Sequence, residues 1–167
     1  MQYIKYYNSP LGKILLSADE IGLTGLWFVG QKYFAPNINL EQKENNIPIF
    51  DDTTKWLDIY FKGIEPNFMP TLHLIGTPFR ITVWEILKSI PYGTTMTYKD
   101  IAQKIVQQRG IEKMSSQAVG GAVGHNNISI IIPCHRVIGS NGNLTGYAGG
   151  IEKKNQLLKI EQNINNL

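Results

Sequence analysis

A single cysteine among 167 residues leaves this chain without any intramolecular disulfide. Only three histidines accompany it, at positions 73, 125 and 135, so no structural zinc site is expected; no cofactor is expected either. Apolar runs long enough to span a bilayer are missing, and Met1-Gln2-Tyr3-Ile4-Lys5-Tyr6-Tyr7 lacks the apolar core of a signal peptide. With one unpaired thiol, these absences lead us to expect a reducing, cytoplasmic setting and no membrane partner. Internal repeats and low-complexity tracts are lacking too. Charge of one sign is in small excess, with 16 Lys and Arg against 13 Asp and Glu.

The content that remains, 43% apolar and 17% charged, is that of a soluble globular protein with room for one ordinary domain or two small ones. Its charge is unevenly placed. Residues 1–75 carry six Lys against eight acidic residues, a net of −2, and residues 76–167 carry ten basic against five acidic, a net of +5. A basic half of this kind suits a polyanion, or is simply solvated surface.

Patterning divides the chain similarly. Tyr3 to Tyr7, Lys13 to Ser17 and Leu23 to Phe28 read as short strands, with turn residues at Ser9-Pro10-Leu11-Gly12 and Asp19-Glu20-Ile21-Gly22. An antiparallel meander follows, then a helix capped at Asp51-Asp52 that carries Trp56, Ile59 and Tyr60 and stops at Gly63. We expect an α+β N-terminal domain over 1–70, with 63–70 as linker, and a mostly helical domain over 71–167. In the second part, Thr77-Pro78 opens a helix with Val83, Leu87 and Ile90 at core spacing, and Thr97 with Asp100 forms a capping pair for the next. Ser115 or Ser116 caps a third, Gln117-Ala118-Val119-Gly120-Gly121-Ala122-Val123-Gly124, whose small residues suit either a helix-turn-helix unit or tight packing in the core.

The cysteine lies in Ile130-Ile131-Ile132-Pro133-Cys134-His135-Arg136-Val137. The isoleucine run reads as a strand or extended core segment that Pro133 ends, which puts Cys134 where core gives way to cleft. Adjacent His135 and Arg136 favour a thiolate and burial opposes it, so the residues alone leave both a reactive and a structural thiol open.

Pro133-Cys134-His135-Arg136-Val137, preceded by Ala118-Val119-Gly120-Gly121-Ala122 and Asn126 and followed by Gly146-Tyr147-Ala148-Gly149-Gly150, resembles the O6-methylguanine-DNA methyltransferase family. Thr77-Pro78-Phe79, Val83-Trp84, Ile90-Pro91-Tyr92-Gly93 and Thr97-Tyr98 keep that family's order, and Ser9-Pro10-Leu11-Gly12 with Gly22-Leu23-Thr24-Gly25-Leu26 extends the likeness to the N-terminal part. The resemblance implies a ribonuclease H-like N-terminal domain and a winged-helix-like C-terminal domain. It also implies a monomer that binds double-stranded DNA carrying O6-alkylguanine, and transfer of the alkyl group, once per molecule, from O6 of guanine to Cys134. O4 of thymine is a second candidate substrate.

Site residues carry over by position. The resemblance gives His135 as the base that takes the thiol proton through a water, Glu161 as its orienter, Asn126 as the support of the turn before the cysteine, and Tyr98 and the Ala148 N–H as donors to the flipped base. Gln117, Ala118, Val119, Gly120, Gly121 and Ala122 would meet the minor groove, and Arg136, Val137 and Tyr147 would serve substrate or DNA binding. Gln117 stands where the family usually has the Arg that fills the space of the flipped base, and the joint 106–116, with Arg109 and Lys113, is longer than usual. A sensor that binds without transfer would not need Cys134 beside His135. A cysteine hydrolase would need an oxyanion hole, of which no signature appears.

Overall fold

The structure is a computed structural model and describes residues 1–162. Three strands, β1 (Tyr3–Ser9), β2 (Gly12–Ala18) and β3 (Leu23–Phe28), form an antiparallel meander in the order β1-β2-β3. The register pairs Tyr6 with Leu15 and Leu16 with Leu26. β3 is buried along its whole length, because both faces and its outer edge are covered. Gly25 in this strand admits no side chain, since a Cβ there would lie 2.0 Å from the Trp27 ring.

Helix α1 (Pro48–Tyr60) packs Phe50, Leu57 and Tyr60 into the core. It begins earlier than Asp51-Asp52 indicated: Ile47 is the cap residue and Pro48 takes the first turn, where its missing N–H costs nothing. Asp51 instead lies inside the first turn, where the helix dipole favours a negative charge.

The second part consists of α2 (Pro78–Lys88), a two-residue strand β4 (Met96–Thr97), α3 (Tyr98–Arg109), α4 (Ser116–Gly124), the short strand β5 (Val137–Ile138) and α5 (Ile151–Gln162). Thr77 caps α2 by accepting from the Arg80 N–H at 3.2 Å, and Thr97 and Asp100 form the reciprocal capping box of α3. Ser115 caps α4, accepting from the N–H groups of Gln117 and Ala118. The joint before it is shorter than expected, because α3 runs on to Arg109 and turns at Gly110 with φ +64°. Arg109 lies over the Phe79 ring and donates to Thr82 Oγ1 at 3.0 Å, so its side chain is anchored on α2.

The Ile130-Ile131-Ile132 segment is not a strand. All three residues are buried, but the chain turns repeatedly between Ser129 and Arg136. Ile130 has φ +72°, a costly value for a β-branched residue, and is spanned by a hydrogen bond from the Ile131 N–H to the Ser129 carbonyl. Pro133 is the centre of a second such turn, closed from the Cys134 N–H to the Ile132 carbonyl at 2.8 Å. Apolar content had set burial correctly, whereas regular pairing is confined to one position beside the β3 edge. There Leu26 donates to the Asn127 carbonyl and accepts from the Ser129 N–H. That edge holds the cysteine segment against the meander.

Candidate active site

A cavity of about 280 Å³ opens between α4, the 145–148 segment and the chain just after β3, with Cys134 on its wall. The segment that carries the cysteine is tied by one side chain. Asn126 donates its amide to the Ile128 and Ile132 carbonyls, at 3.3 and 2.7 Å, and its carbonyl oxygen accepts from the Ile128 N–H. A buried amide with these partners fixes a turn that the β3 edge meets at Leu26.

Cys134 to Arg136 form a single 3₁₀ turn, which aims successive side chains in different directions. Cys134 borders the cavity; His135 and Arg136 point into the protein. His135 is fully buried, and its Nε2–H donates to Glu161 Oε2. The same oxygen accepts from the Tyr60 hydroxyl at 2.6 Å. The other, Oε1, accepts from Arg136 Nε at 2.7 Å and the Gly93 N–H at 3.1 Å. Burial alone would raise the Glu161 pKa, but hydrogen bonds and charge from His135 and Arg136 outweigh it and hold the carboxyl at about 2. Burial likewise pushes the His135 pKa down, against the pull of Glu161. With Nε2 engaged, Nδ1 carries the lone pair, and it meets no partner among the described residues.

Arg136 therefore corrects an expectation. Its guanidinium is buried over the Tyr92 ring, donating to Glu161 and to the Ile90 carbonyl at 2.7 Å, and it is not available to DNA or substrate. Val137 is also fully buried and pairs with Met96, so only its backbone could face a ligand.

Burial pushes the Cys134 thiol pKa up; the Asn126 amide and the Lys154 ammonium act in the opposite sense. Tyr98 reaches across the cavity and donates its hydroxyl to the Thr145 carbonyl at 3.0 Å. Tyr147 and Ala148 complete that side, with the Ala148 carbonyl accepting from the Lys32 N–H at 3.1 Å.

Helix α4 divides by its period. Val119 and Ala122, expected at the groove, are buried, and the Ala122 carbonyl accepts from Trp84 Nε1 at 3.0 Å. Gln117, Ala118 and Gly121 are exposed. A Cβ on Gly121 would meet nothing within 4 Å, and one on Gly120 only the Tyr98 ring at 3.9 Å. These glycines are not there for internal packing; they form an open face at the cavity mouth.

Comparison with known proteins agrees with this architecture. Residues 2–73 match the 6-O-methylguanine DNA methyltransferase ribonuclease-like domain, and residues 78–163 match the DNA binding domain of the same family. The chain belongs to the 6-O-methylguanine DNA methyltransferase family. It is 43% identical over 161 residues to the methylated-DNA--protein-cysteine methyltransferase of Methanosarcina acetivorans, covering 95% of this chain and 97% of that one. With the Haemophilus influenzae protein of the same name it shares 38% identity, covering 96% and 86% of the two chains. The crystal structure of Mycobacterium tuberculosis OGT in complex with DNA superposes with a TM-score of 0.80 at 38% identity, over 96% of this chain and 93% of that one.

Four residues of this family member's site escaped sequence reasoning. Lys154 had a detectable signal, since it shares one face of α5 with Leu157, Leu158 and Glu161, all buried. Tyr60 had none, because it meets Glu161 from 101 positions away. Lys32 and Tyr33 line the cavity from an irregular segment, where Tyr33 stacks on His125 with ring centroids 3.9 Å apart. His73 is not among the cavity residues and pairs with Asp19 at 2.6 Å. No helix among the described residues is long and apolar enough to cross a membrane.

Proposed function

We propose that this protein repairs duplex DNA as a cytoplasmic monomer, by moving the alkyl group of O6-alkylguanine onto Cys134, once per molecule. The observation that carries the reading is the placement of Cys134 between two sets of groups. On one side stand Tyr98 and Ala148 at the cavity, on the other the buried His135–Glu161 pair.

The Cys134 thiol gives its proton, through a water, to Nδ1 of His135, and Glu161 stabilises the imidazolium so formed. Sγ attacks the alkyl carbon, the new S–C bond forms as the C–O6 bond breaks, and the electron pair passes to O6 and the purine ring. Donors from Tyr98 and the Ala148 N–H meet that charge as it develops, and the purine regains its N1 proton from solvent. The thioether offers no easy leaving reaction, so the protein is consumed. Access requires the nucleotide to leave the stack at a cost of a few kcal/mol, and the open glycine face of α4 suits a close approach to the minor groove.

The test is incubation with a duplex oligonucleotide containing one O6-methylguanine, followed by intact-protein mass. A gain of one methyl, located on Cys134 and never exceeding one per molecule, is expected. Binding without gain would make the protein a sensor, and a parallel O4-methylthymine duplex reports the second substrate.

A further inference from the structure

Two side chains from different elements meet on one backbone atom beside the cavity. Tyr98, the first residue of α3, donates its hydroxyl to the Thr145 carbonyl at 3.0 Å. Lys154, on α5, donates its ammonium to the same carbonyl at 3.0 Å and to that of Gly146 at 3.1 Å. A carbonyl oxygen has two lone pairs, so both donors are accommodated together.

This sharing matters because the two donors differ in what else they can do. Tyr98 lines the cavity. On the functional reading above, its hydroxyl must turn to the incoming base, and to do so it must release Thr145. Lys154 is fully buried, and its ammonium is held by these two carbonyls. Once a base fills the cavity, water is displaced from that side, and a carbonyl left bare would cost about 1–3 kcal/mol. The Lys154 bond remains and removes most of that cost.

The same two bonds act on the loop. Gly146 turns with φ +62° directly before Tyr147 and Ala148, which line the cavity. Two charge-assisted bonds at this turn fix where those residues stand. A fully buried ammonium that meets no carboxylate among the described residues is costly, and burial lowers the Lys154 pKa to about 8 although the nearby Cys134 opposes the shift. An apolar residue would be cheaper at this position if stability were its only task.

We propose that Lys154 is a positioning residue for transfer: anchored on the Thr145 and Gly146 carbonyls, it holds the 145–148 segment against the cavity and keeps Thr145 satisfied while Tyr98 turns its hydroxyl to the base. The inference rests on the alkyl-transfer reading.

A double-mutant cycle in single-turnover transfer from an O6-methylguanine duplex tests it, using Lys154→Met, Tyr98→Phe and the pair. Lys154→Met should lower the maximal rate by about tenfold and leave the half-saturating duplex concentration nearly unchanged. In the Tyr98→Phe background the same substitution should cost no more than about twofold. Lys154→Arg, which keeps charge and donors, should recover most of the rate. If Lys154→Met does not fold, Lys154→Leu takes its place in the cycle with the same expectation. Equal losses in both backgrounds would overturn the proposal, since Lys154 would then act independently of the Tyr98 hydroxyl. A loss confined to half-saturation, or a Tyr98→Phe variant as fast as the parent, would also overturn it. Absence of methyl gain in the unmodified protein would instead overturn the functional reading itself.

Discussion

Arg136 Nε lies 2.7 Å from Glu161 Oε1, on the opposite oxygen from the one that receives His135. Arg136 thus holds the same carboxylate that accepts from its neighbour His135. Both side chains are almost wholly buried, and the Gly93 N–H and Tyr60 hydroxyl fill the remaining sites on Glu161.

Arg136→Met should therefore leave a buried carboxylate short of its guanidinium partner, at a cost of about 3–5 kcal/mol. Transfer should slow as His135 loses its fixed orientation. Affinity for an undamaged duplex should change little, because the guanidinium does not face solvent. Urea unfolding and fluorescence anisotropy check the two halves; a large loss of duplex affinity in folded protein would return Arg136 to the DNA interface.

Acid stability follows from the same carboxylate. The Glu161 pKa is held at about 2 from an ordinary 4.5, so its stabilising contribution is complete above 4.5 and is lost as pH falls towards 2. A shift of this size corresponds to roughly 3 kcal/mol. Glu161→Gln should lower the urea midpoint at neutral pH and flatten its fall between pH ~5 and ~3. Parallel curves for the two proteins would remove Glu161 from the acid transition.

Much of this arrangement was legible beforehand, for identifiable reasons. The capping box at Thr97 and Asp100 and the Thr77-Pro78 start are local signals, and both helices begin as read. The meander showed because its turn residues are as local as its strands. Ile130 to Ile132 misled because a buried apolar run has no period of its own, and here Asn126 and an edge of β3, not strand pairing, hold it. The direction of Arg136 could not be read from adjacency to Cys134, since a 3₁₀ turn sends neighbours to different sides. Tyr60 was beyond reach, as its role arises only when two domains close around Glu161.

Gly121 offers a sharper test of α4. Its position is open, so Gly121→Ala should stabilise the helix by about 0.5–1 kcal/mol through lower backbone entropy. If that face approaches DNA closely, the added methyl should nonetheless weaken duplex binding, and Gly121→Val should weaken it further. Thermal unfolding and anisotropy would show stability and affinity moving in opposite directions. Improved stability with unchanged affinity for both variants would place the DNA elsewhere.

Gln117 carries the last prediction. It is exposed beside the Ser115 cap, on the side of α4 away from Val119 and Ala122, where a side chain could enter a groove. If it fills the space of the flipped base, Gln117→Ala should slow transfer from duplex DNA and barely affect reaction with free O6-alkylguanine, which needs no flipping. Gln117→Arg should match or exceed the parent on duplex. Should the new guanidinium also neutralise a phosphate, log affinity should fall more steeply with log salt, by ~0.9 in slope. A faster rate with an unchanged slope would mark a wedge without ionic contact. Equal duplex rates for Gln, Ala and Arg would show that this position does not support flipping, and the wedge would have to come from Ala118 or from the 110–115 joint, where Lys113 supplies the nearest cation in sequence.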